Sequence, residues 1–215
     1  LAPSRIRAAL DESLERLATD RVDLYYLHVP DYATPIEATL EAMQRVLESG
    51  KARAWGVSNF ASWQILEMMH IADRMGMPRP AVSQQMYNVL VRQLDIEYFK
   101  FAKRHPIHTT VYNPLAGGLL SGAPGKRFEK NTMYQRRYLS EAMLRATSRL
   151  GEVAKEAGMT LVTLAYRWII GRPGVDSILV GPGSLQHLED ALAACTGALD
   201  DEVRAKADAV WLEMS

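Results

Sequence analysis

Two kinds of hydrophobic pattern alternate along the chain. Short apolar and aromatic runs predict buried strands at residues 22–28, 53–58, 81–87, 108–112 and 176–180. Apolar residues three or four positions apart predict amphipathic helices, one from Pro3-Ser4 and others at residues 36–47, 63–76, 94–104, 140–157, 160–170, 186–194 and 200–212. We expect Ser4 to cap the first helix, Pro35 to lie in the first turn of the second, and Gly50 to terminate the second.

This succession of strand, loop and helix predicts a parallel sheet with right-handed crossovers. The fold class is therefore α/β. The expected architecture is a (β/α)8 TIM barrel, of which this chain supplies strands 4–8 with their helices. A closed barrel needs eight strands and about 250 residues, whereas the sequence has 215. We expect one incomplete barrel domain over residues 1–215, with three strands upstream. Its open sheet edges would need that upstream part or a partner, for example a second copy in a homo-oligomer.

Composition and charge narrow the function classes. Basic and acidic residues balance at 25 each, which gives no electrostatic case for nucleic acid. The single Cys195 allows no intramolecular disulfide and suggests no metal site, as is typical of a reducing compartment. No apolar run approaches the ~20 residues of a membrane span, and no secretion signal is visible. The sequence thus predicts a cytoplasmic protein without nucleic-acid or membrane partners.

Polar or glycine-bearing segments follow each predicted strand. They are His28, Ser58-Asn59, Gln85, Tyr112-Asn113 and residues 181–184. Because the loops after parallel strands share one face of a barrel, we expect these groups to converge. Carboxamide side chains suit a ligand with its own carboxamide, a tyrosine ring suits an aromatic ring, and glycines around Gly117 or a helix start after Gly181 suit phosphate.

Each of these features also has a structural interpretation. A histidine after a strand can be a hydrogen-bonded structural group, and Ser58-Asn59 is a common helix-capping pair. Tyr112 could belong to the core, and Gly117-Gly118 could be a mobile turn. Their repetition after successive strands favours the functional interpretation.

Four segments of the sequence resemble the aldo-keto reductase family. They are Asp23-Leu24-Tyr25-Tyr26-Leu27-His28, Gly56-Val57-Ser58-Asn59-Phe60, Gln85-Met86-Tyr87-Asn88 and Tyr112-Asn113-Pro114-Leu115-Ala116-Gly117-Gly118-Leu119-Leu120. They occur in family order over essentially the whole chain. The sequence is most similar to the branch that contains aflatoxin-aldehyde reductases and potassium-channel β subunits.

The resemblance implies a (β/α)8 barrel that reduces a small-molecule carbonyl with NADP(H). It implies that His28 orients the carbonyl as part of an Asp, Tyr, Lys and His tetrad. It places the nicotinamide at Ser58, Asn59, Gln85 and Tyr112, the pyrophosphate at Asn113, Pro114, Leu115, Ala116, Gly117 and Gly118, and the adenosine 2′-phosphate end at Gly181, Gly183, Ser184, His187 and Asp190. Arg127 could contact cofactor phosphate and Arg137 a substrate carboxylate, although exposed arginines are often simply solvated.

The sequence departs from the family pattern in the catalytic tetrad, in the loop at residues 122–127, which looks shorter than usual in this branch, and at the adenosine end. The Asp, Tyr and Lys of the tetrad belong to a region that precedes Leu1. His187 and Ala191 stand where the family has Gln and Asn, so NAD(H) is not excluded. We therefore consider an NAD(P)H-dependent carbonyl reductase first, a non-catalytic NADP-binding regulatory subunit second, and a self-sufficient scaffolding protein third.

Overall fold

A five-stranded sheet runs through the chain. The computed structural model describes residues 2–122, 128 and 132–214. The strands, in their order across the sheet, are β1 (Val22–Leu27), β2 (Ala52–Ser58), β3 (Val82–Met86), β4 (His108–Tyr112) and β5 (Ser177–Leu179). Spatial order therefore equals chain order, as it does when successive strands of a βα barrel are laid side by side.

Neighbouring strands run in the same direction. Tyr25 pairs with Trp55 between β1 and β2, and the β2–β3 pair is parallel as well. His108 N donates to Ala81 O at 3.2 Å, and Tyr87 N donates to Tyr112 O at 3.3 Å. Residue numbers thus rise together along β3 and β4. The predicted α/β fold with part of a parallel barrel is confirmed.

Helices follow the strands. They are α1 (Pro3–Leu17), α2 (Ile36–Glu48), α3 (Ser62–Met75), α4 (Gln93–Ile96), α5 (Tyr98–Arg104), α6 (Thr132–Tyr138), α7 (Glu141–Glu156), α8 (Leu161–Ile170), α9 (Leu185–Cys195) and α10 (Asp201–Leu212), with a 3₁₀ segment at Ala116–Ser121. None of these described helices combines the length and apolar character that crossing a bilayer requires.

The predicted end of α2 at Gly50 was right, whereas the predicted starts of α1 and α2, both next to a proline, were wrong. Gly50 follows the last residues of α2 with φ +73°, as a C-terminal glycine should. Ser4 does not cap α1, because Ala2 is the N-cap and Pro3 takes the first helical position, which suits a residue without an N–H. Pro35 lies one position earlier than predicted, at the N-cap of α2.

The single helix predicted at residues 94–104 is divided. Glu97, with φ −143° and ψ −32°, separates α4 from α5. Each half has its own anchor: the Asp95 carboxylate binds Arg92 at 2.7 Å, and the Tyr98 hydroxyl bonds with Thr109 Oγ1 at 3.1 Å. Helical spacing alone cannot show that two halves are held by different partners. The short α6 was not predicted from the sequence.

The chain divides into two compact units. The first comprises Leu1–Gln85 and Tyr98–Thr110, and the second comprises Met86–Glu97 and Val111–Ser215. Fully buried side chains in the first unit include Trp55, Leu27, Met43 and Ile65. Those in the second include Trp168, Tyr138, Leu150 and Leu164. That residues 1–215 form one domain stays a prediction.

Candidate functional site

In the first unit, polar residues lie at the carboxyl ends of three adjacent strands. His28 directly follows β1, Ser58 ends β2, and Gln85 is the penultimate residue of β3. The strand register pairs Leu27 with Val57 and Ser58 with Gln84, so these ends are neighbours. The expected gathering of these residues is therefore present within this unit.

Asn59 holds two of these strand ends together. Its Nδ2 donates to the His28 carbonyl at 2.9 Å and to Ser58 Oγ at 3.0 Å, and its backbone N donates to Gln84 O at 3.2 Å. The residue has φ +66°, a left-handed conformation that asparagine adopts more readily than most side chains. Asn59 therefore fixes the backbone on which the His28 side chain stands.

Ser58 and Asn59 do not cap the following helix. The N-cap of α3 is Ala61, whose backbone N donates to Gln64 Oε1 at 3.1 Å. The capping alternative for Ser58-Asn59 is thus wrong, and their side chains serve the strand ends. The His28 side chain is exposed, which does not favour a structural, hydrogen-bonded histidine.

Gln85 is buried and oriented by two hydrogen bonds. Its Nε2 donates to Phe60 O at 3.0 Å and to Ser83 Oγ at 2.9 Å. Both amide hydrogens are therefore already used inside the first unit. The Oε1 atom is the one that can accept a hydrogen bond from a ligand, and an amide NH2 is a matching donor.

The motif residue Gly56 allows β2 to pass closely beside its neighbours. A Cβ added there would lie 2.8 Å from Val82 O and 2.9 Å from the Tyr26 ring. Real Cβ atoms do not approach so closely, so a side chain at this position would push β2 away from β3. The glycine thus protects the register that sets Ser58 and Asn59.

In the second unit, Asn113 organises the loop after β4. Its Oδ1 accepts from Gly117 N at 2.6 Å, and its Nδ2 donates to the Tyr138 hydroxyl at 2.5 Å. Asn88 Nδ2 in turn donates to the Asn113 carbonyl at 3.0 Å. The neighbouring Tyr112 is partly buried, and burial raises the pKa of its hydroxyl.

The glycine loop uses its own backbone donors. Ala116 N donates to Asn113 O at 3.0 Å, and Gly118 N and Leu120 N donate to Leu115 O at 2.8 and 3.1 Å. Positive φ angles at Ala116, Gly117 and Gly118 curl the segment in this way. A phosphate bound here would have to replace some of these hydrogen bonds. The glycine content of the sequence did not show that the N–H groups of the loop already have acceptors. The mobile-turn alternative finds no support, since the loop is internally bonded.

Aromatic side chains cover this loop. A Cβ added to Gly117 would clash with the Tyr134 ring, and Phe128, Tyr134 and Tyr138 have ring centroids 5.9 to 6.2 Å apart. Pro114 and Ala116 are buried beneath, and Leu115 is partly buried. Short helix α6 thus packs on the predicted pyrophosphate segment.

Of the two arginines predicted as ligand contacts, the structure describes only Arg137. Arg137 on α6 is partly buried, and its Nη1 lies 3.1 Å from Met86 Sδ. It is therefore neither simply solvated nor turned towards open solvent. Arg127 lies outside the described residues.

The residues predicted for the adenosine end lie around the start of α9. Ser184 is its N-cap, and its Oγ accepts from His187 N at 3.2 Å. Gln186 Nε2 donates to Asp190 Oδ1 at 3.0 Å, and Gly181 and Gly183 precede the cap. All of these predicted residues are exposed, and a helix start of this kind suits an anion.

Two positioning residues escaped the sequence analysis. Asn88 Oδ1 accepts from Leu90 N and Val91 N, both at 3.0 Å, and its Nδ2 holds Asn113. Its place at the end of the Gln85–Asn88 motif was a signal that could have found it. Tyr138, which bonds Asn113 from α6, carried no such signal. Within the described ranges, no cluster of His, Cys, Asp and Glu could hold a metal ion.

Comparison with known proteins places these features in one family. The model of the Aldo/keto reductase family matches residues 1–212. The chain is 35% identical over 235 residues to aldo-keto reductase family 7 member A3 of Homo sapiens, an alignment that covers 98% of this chain and 71% of the relative. It is 37% identical over 218 residues to the human aflatoxin B1 aldehyde reductase member 2, covering 90% of this chain and 60% of the relative.

A third relative carries a different name. The chain is 36% identical over 192 residues to a probable voltage-gated potassium channel subunit beta of Arabidopsis thaliana, covering 85% of this chain and 58% of that protein. Across these three relatives the alignments span 58% to 71% of their lengths. The family match over nearly every residue, with its motifs at the ends of successive parallel strands, shows that this chain belongs to the aldo/keto reductase family.

Proposed function

We propose that this chain serves an NAD(P)H-dependent oxidoreductase that reduces aldehydes or ketones to alcohols, with a small-molecule carbonyl as substrate and the cytoplasm as location. Family membership supports an oxidoreductase, and one relative is named an aldehyde reductase. The single observation that carries the proposal is the bonded arrangement of His28, Asn59 and Gln85 at adjacent strand ends.

His28 is the residue proposed to orient the carbonyl oxygen. Its ring is exposed and can reach a ligand, while its backbone carbonyl is held by Asn59 Nδ2. A fixed backbone with an accessible imidazole is what orientation of a small substrate requires. Residues 1–215 offer no match for the Asp, Tyr and Lys of the family tetrad. Of the four tetrad roles, this chain therefore supplies that of the histidine, through His28.

The residues present fit a nicotinamide dinucleotide. When bound, the dinucleotide supplies the hydride. Gln85 Oε1 would accept from its carboxamide, because both Nε2 hydrogens are engaged elsewhere. Ser58 and Asn59 would complete that polar contact, and Tyr112 would offer its ring face.

The phosphate and adenosine contacts are proposed for the second unit. Residues 113–118 would meet the pyrophosphate once their internal backbone bonds open. Gly181, Gly183, Ser184, His187 and Asp190 would meet the adenosine end at the start of α9. NADP(H) is the proposed cofactor and NAD(H) its competitor. Arg137 remains the proposed contact for a substrate carboxylate.

A second candidate is a non-catalytic NADP-binding regulatory subunit. It is supported by the relative named as a potassium channel subunit, whose 36% identity lies between the 35% and 37% of the two reductases. Both candidates use the same cofactor contacts and differ in turnover.

The test measures binding first and turnover second. Binding of NADPH and of NADH to the purified protein is followed by calorimetry, and absorbance at the reduced-nicotinamide band then follows turnover with a panel of aldehydes and dicarbonyls. Binding with carbonyl-dependent oxidation supports the reductase. Tight binding without turnover supports the regulatory subunit, and absence of binding to either cofactor overturns both.

One variant tests the nicotinamide contact. Gln85→Leu should raise the dissociation constant for NADPH about tenfold, because one buried hydrogen bond to the ligand is lost. The same variant should bind adenosine 2′,5′-bisphosphate, which has no nicotinamide, as the parent does. Gln93→Leu, an exposed glutamine on α4, is the matched control. Equal weakening for both ligands would show a folding defect instead.

A further inference from the structure

Three hydrogen-bond donors converge on one sulfur atom in the second unit. Met86 Sδ lies 3.1 Å from Arg137 Nη1, 3.5 Å from the Tyr138 hydroxyl and 3.9 Å from Asn113 Nδ2. All four residues belong to the same compact unit. Met86 ends β3 and is partly exposed.

The donors are stronger than the acceptor they share. A thioether sulfur accepts hydrogen bonds only weakly, whereas guanidinium, phenol and amide groups donate strongly to oxygen. The Tyr138 hydroxyl already accepts from Asn113 Nδ2, so its own proton points to the sulfur. Burial raises the pKa of Tyr138 to about 12, and the hydroxyl therefore keeps that proton near neutral pH. The surroundings of Met86 suit an oxygen atom better than a bare sulfur.

We propose that Met86 is a site of reversible oxidation by peroxides, and that Arg137, Tyr138 and Asn113 hold the resulting sulfoxide oxygen. The sulfoxide is polar and accepts hydrogen bonds that the thioether accepts poorly. The oxidation needs neither cofactor nor substrate, although Arg137 and Asn113 are also among the contacts proposed above for the substrate carboxylate and the pyrophosphate.

The reaction is balanced with hydrogen peroxide as oxidant. A sulfur lone pair forms a bond to one peroxide oxygen while the O–O bond breaks. The proton on the transferred oxygen passes to the departing hydroxide, which leaves as water. Sulfur is oxidised by two electrons and the peroxide is reduced. Arg137 and Tyr138 can donate to the oxygen on which negative charge develops, and this lowers the barrier.

The sulfoxide of Met86 would strengthen the contact between β3 and α6. Met86 is the last residue of β3, while Arg137 and Tyr138 are in the last turn of α6. Hydrogen bonds to an S–O group at the same place would hold α6 more tightly than the present contacts to sulfur. Because α6 covers Gly117 through Tyr134, oxidation would stabilise this covered arrangement.

The test compares methionines of the same protein after brief exposure to hydrogen peroxide. Mass spectrometry of peptides gives the oxidation rate at each position. Met143 and Met159 are also partly exposed and are the internal controls, while Met43 and Met68 are buried. Met86 should oxidise about tenfold faster than Met143 and Met159, because donors near the sulfur stabilise the negative charge that develops on the transferred oxygen.

Paired variants on α6 test the donors. Arg137→Gln should slow oxidation of Met86 about tenfold and leave Met143 unchanged, because one charge-assisted bond is lost. Arg136→Gln, its exposed neighbour on α6, should have no effect. A Met86 rate equal to that of Met143 in the parent, or unaltered by Arg137→Gln, overturns the proposal.

A second readout does not depend on the arginine variant. Amide hydrogen exchange of residues 132–138 should slow after peroxide treatment and recover after treatment with methionine sulfoxide reductase. Met86→Leu should abolish the peroxide effect while the segment keeps its basal exchange. Faster exchange in the oxidised protein would mean that the sulfoxide disrupts α6 and would refute the proposed holding role.

Discussion

At the scale of residues, two asparagines have the same structural role in the segments that follow two different strands. Asn59 after β2 has φ +66°, and Asn113 after β4 has φ +65°. Each uses its side chain to bind backbone: Asn59 Nδ2 donates to His28 O, 31 positions away, and Asn113 Oδ1 accepts from Gly117 N, four positions away. The left-handed backbone costs an asparagine less than most residues. Both side chains were predicted as ligand contacts, and the structure adds that both shape the loops in which they stand.

Gly117 gives a prediction at this scale. Gly117→Ala should lower the free energy of unfolding by about 2 kcal/mol, because an alanine is strained at φ +71° and its Cβ would meet the Tyr134 ring. Gly50→Ala, with φ +73° and open space around it, should lose only about 1 kcal/mol. Chemical denaturation of both variants gives the comparison.

A double variant separates the two causes. In a Tyr134→Ala background, Gly117→Ala should lower the free energy of unfolding by no more than Gly50→Ala lowers it in the parent. The clash with the Tyr134 ring is then gone, while the strain from the positive φ remains. Equal losses for the two single glycine variants would refute the close approach of Tyr134.

At the scale of elements, a charged and aromatic network attaches α10 to the rest of the second unit. Asp208 on α10 accepts from Arg92 Nη1 at 2.8 Å, Trp168 Nε1 at 2.9 Å and Arg172 Nη1 at 3.2 Å. The Arg92 guanidinium lies 5.1 Å from the Trp168 ring and 4.7 Å from the Trp211 ring. One carboxylate thus serves three donors from two other parts of the chain.

Asp208→Asn should therefore be costly. Two largely buried guanidinium groups would lose a partner, and the free energy of unfolding should fall by about 3 kcal/mol. Glu202→Gln on the same helix removes an exposed ion pair with Lys206 and should change it by less than about 0.5 kcal/mol. Denaturant titrations of both variants measure the difference. A small loss in Asp208→Asn would mean that the cation–aromatic contacts suffice.

At the scale of the whole molecule, two of the three boundaries between the compact units lie inside strands. The chain passes from one unit to the other between Gln85 and Met86 in β3, between Glu97 and Tyr98 where α4 ends and α5 begins, and between Thr110 and Val111 in β4. Independent domains are usually joined through exposed linkers. We therefore expect residues 1–215, with their open sheet edges covered by the upstream part or by a partner, to unfold in one cooperative transition. Calorimetric and van't Hoff enthalpies should agree, and two separate transitions would contradict the single-domain prediction.

Buried tyrosines predict how stability depends on alkaline pH. Burial raises the pKa of the hydroxyls of Tyr25, Tyr26, Tyr87, Tyr112, Tyr138 and Tyr166. An unfolded tyrosine loses its proton near a pKa of about 10. Above that pH the unfolded chain binds fewer protons than the folded one, and stability falls.

The free energy of unfolding should therefore decline steadily from about pH 10 to about pH 12. Tyr138 and Tyr166 have pKa values near 12, so their contribution is lost across this window. Denaturant titrations at fixed ionic strength measure the decline, and Tyr138→Phe should make it shallower. A constant free energy up to pH 11 would contradict the burial of these hydroxyls.

Much of the fold could be read from periodicity, and the errors have local causes. The fourth strand was predicted to the residue. The helices predicted from Ser140, Thr160 and Asp200 begin one residue later, and these three residues are their N-caps, as their residue types favour. Ser4 failed as a cap because Pro3 competed for the helix start, and residues 94–104 divided because Asp95 and Tyr98 have separate partners. Local pattern specifies an element, but partners distant in sequence decide where it is interrupted.

By itself, the sequence determined the strand–helix order, the family, and which polar residues follow the strands, because burial imposes a period on apolar residues and these motifs are contiguous. Only the tertiary structure decided what those residues contact. It directed both Gln85 amide hydrogens inward, placed Tyr134 on Gly117, and brought Arg137 and Tyr138 to Met86. Arg137 and Tyr138 lie 51 and 52 positions from Met86 in the sequence and meet it through packing, and no local pattern encodes that choice.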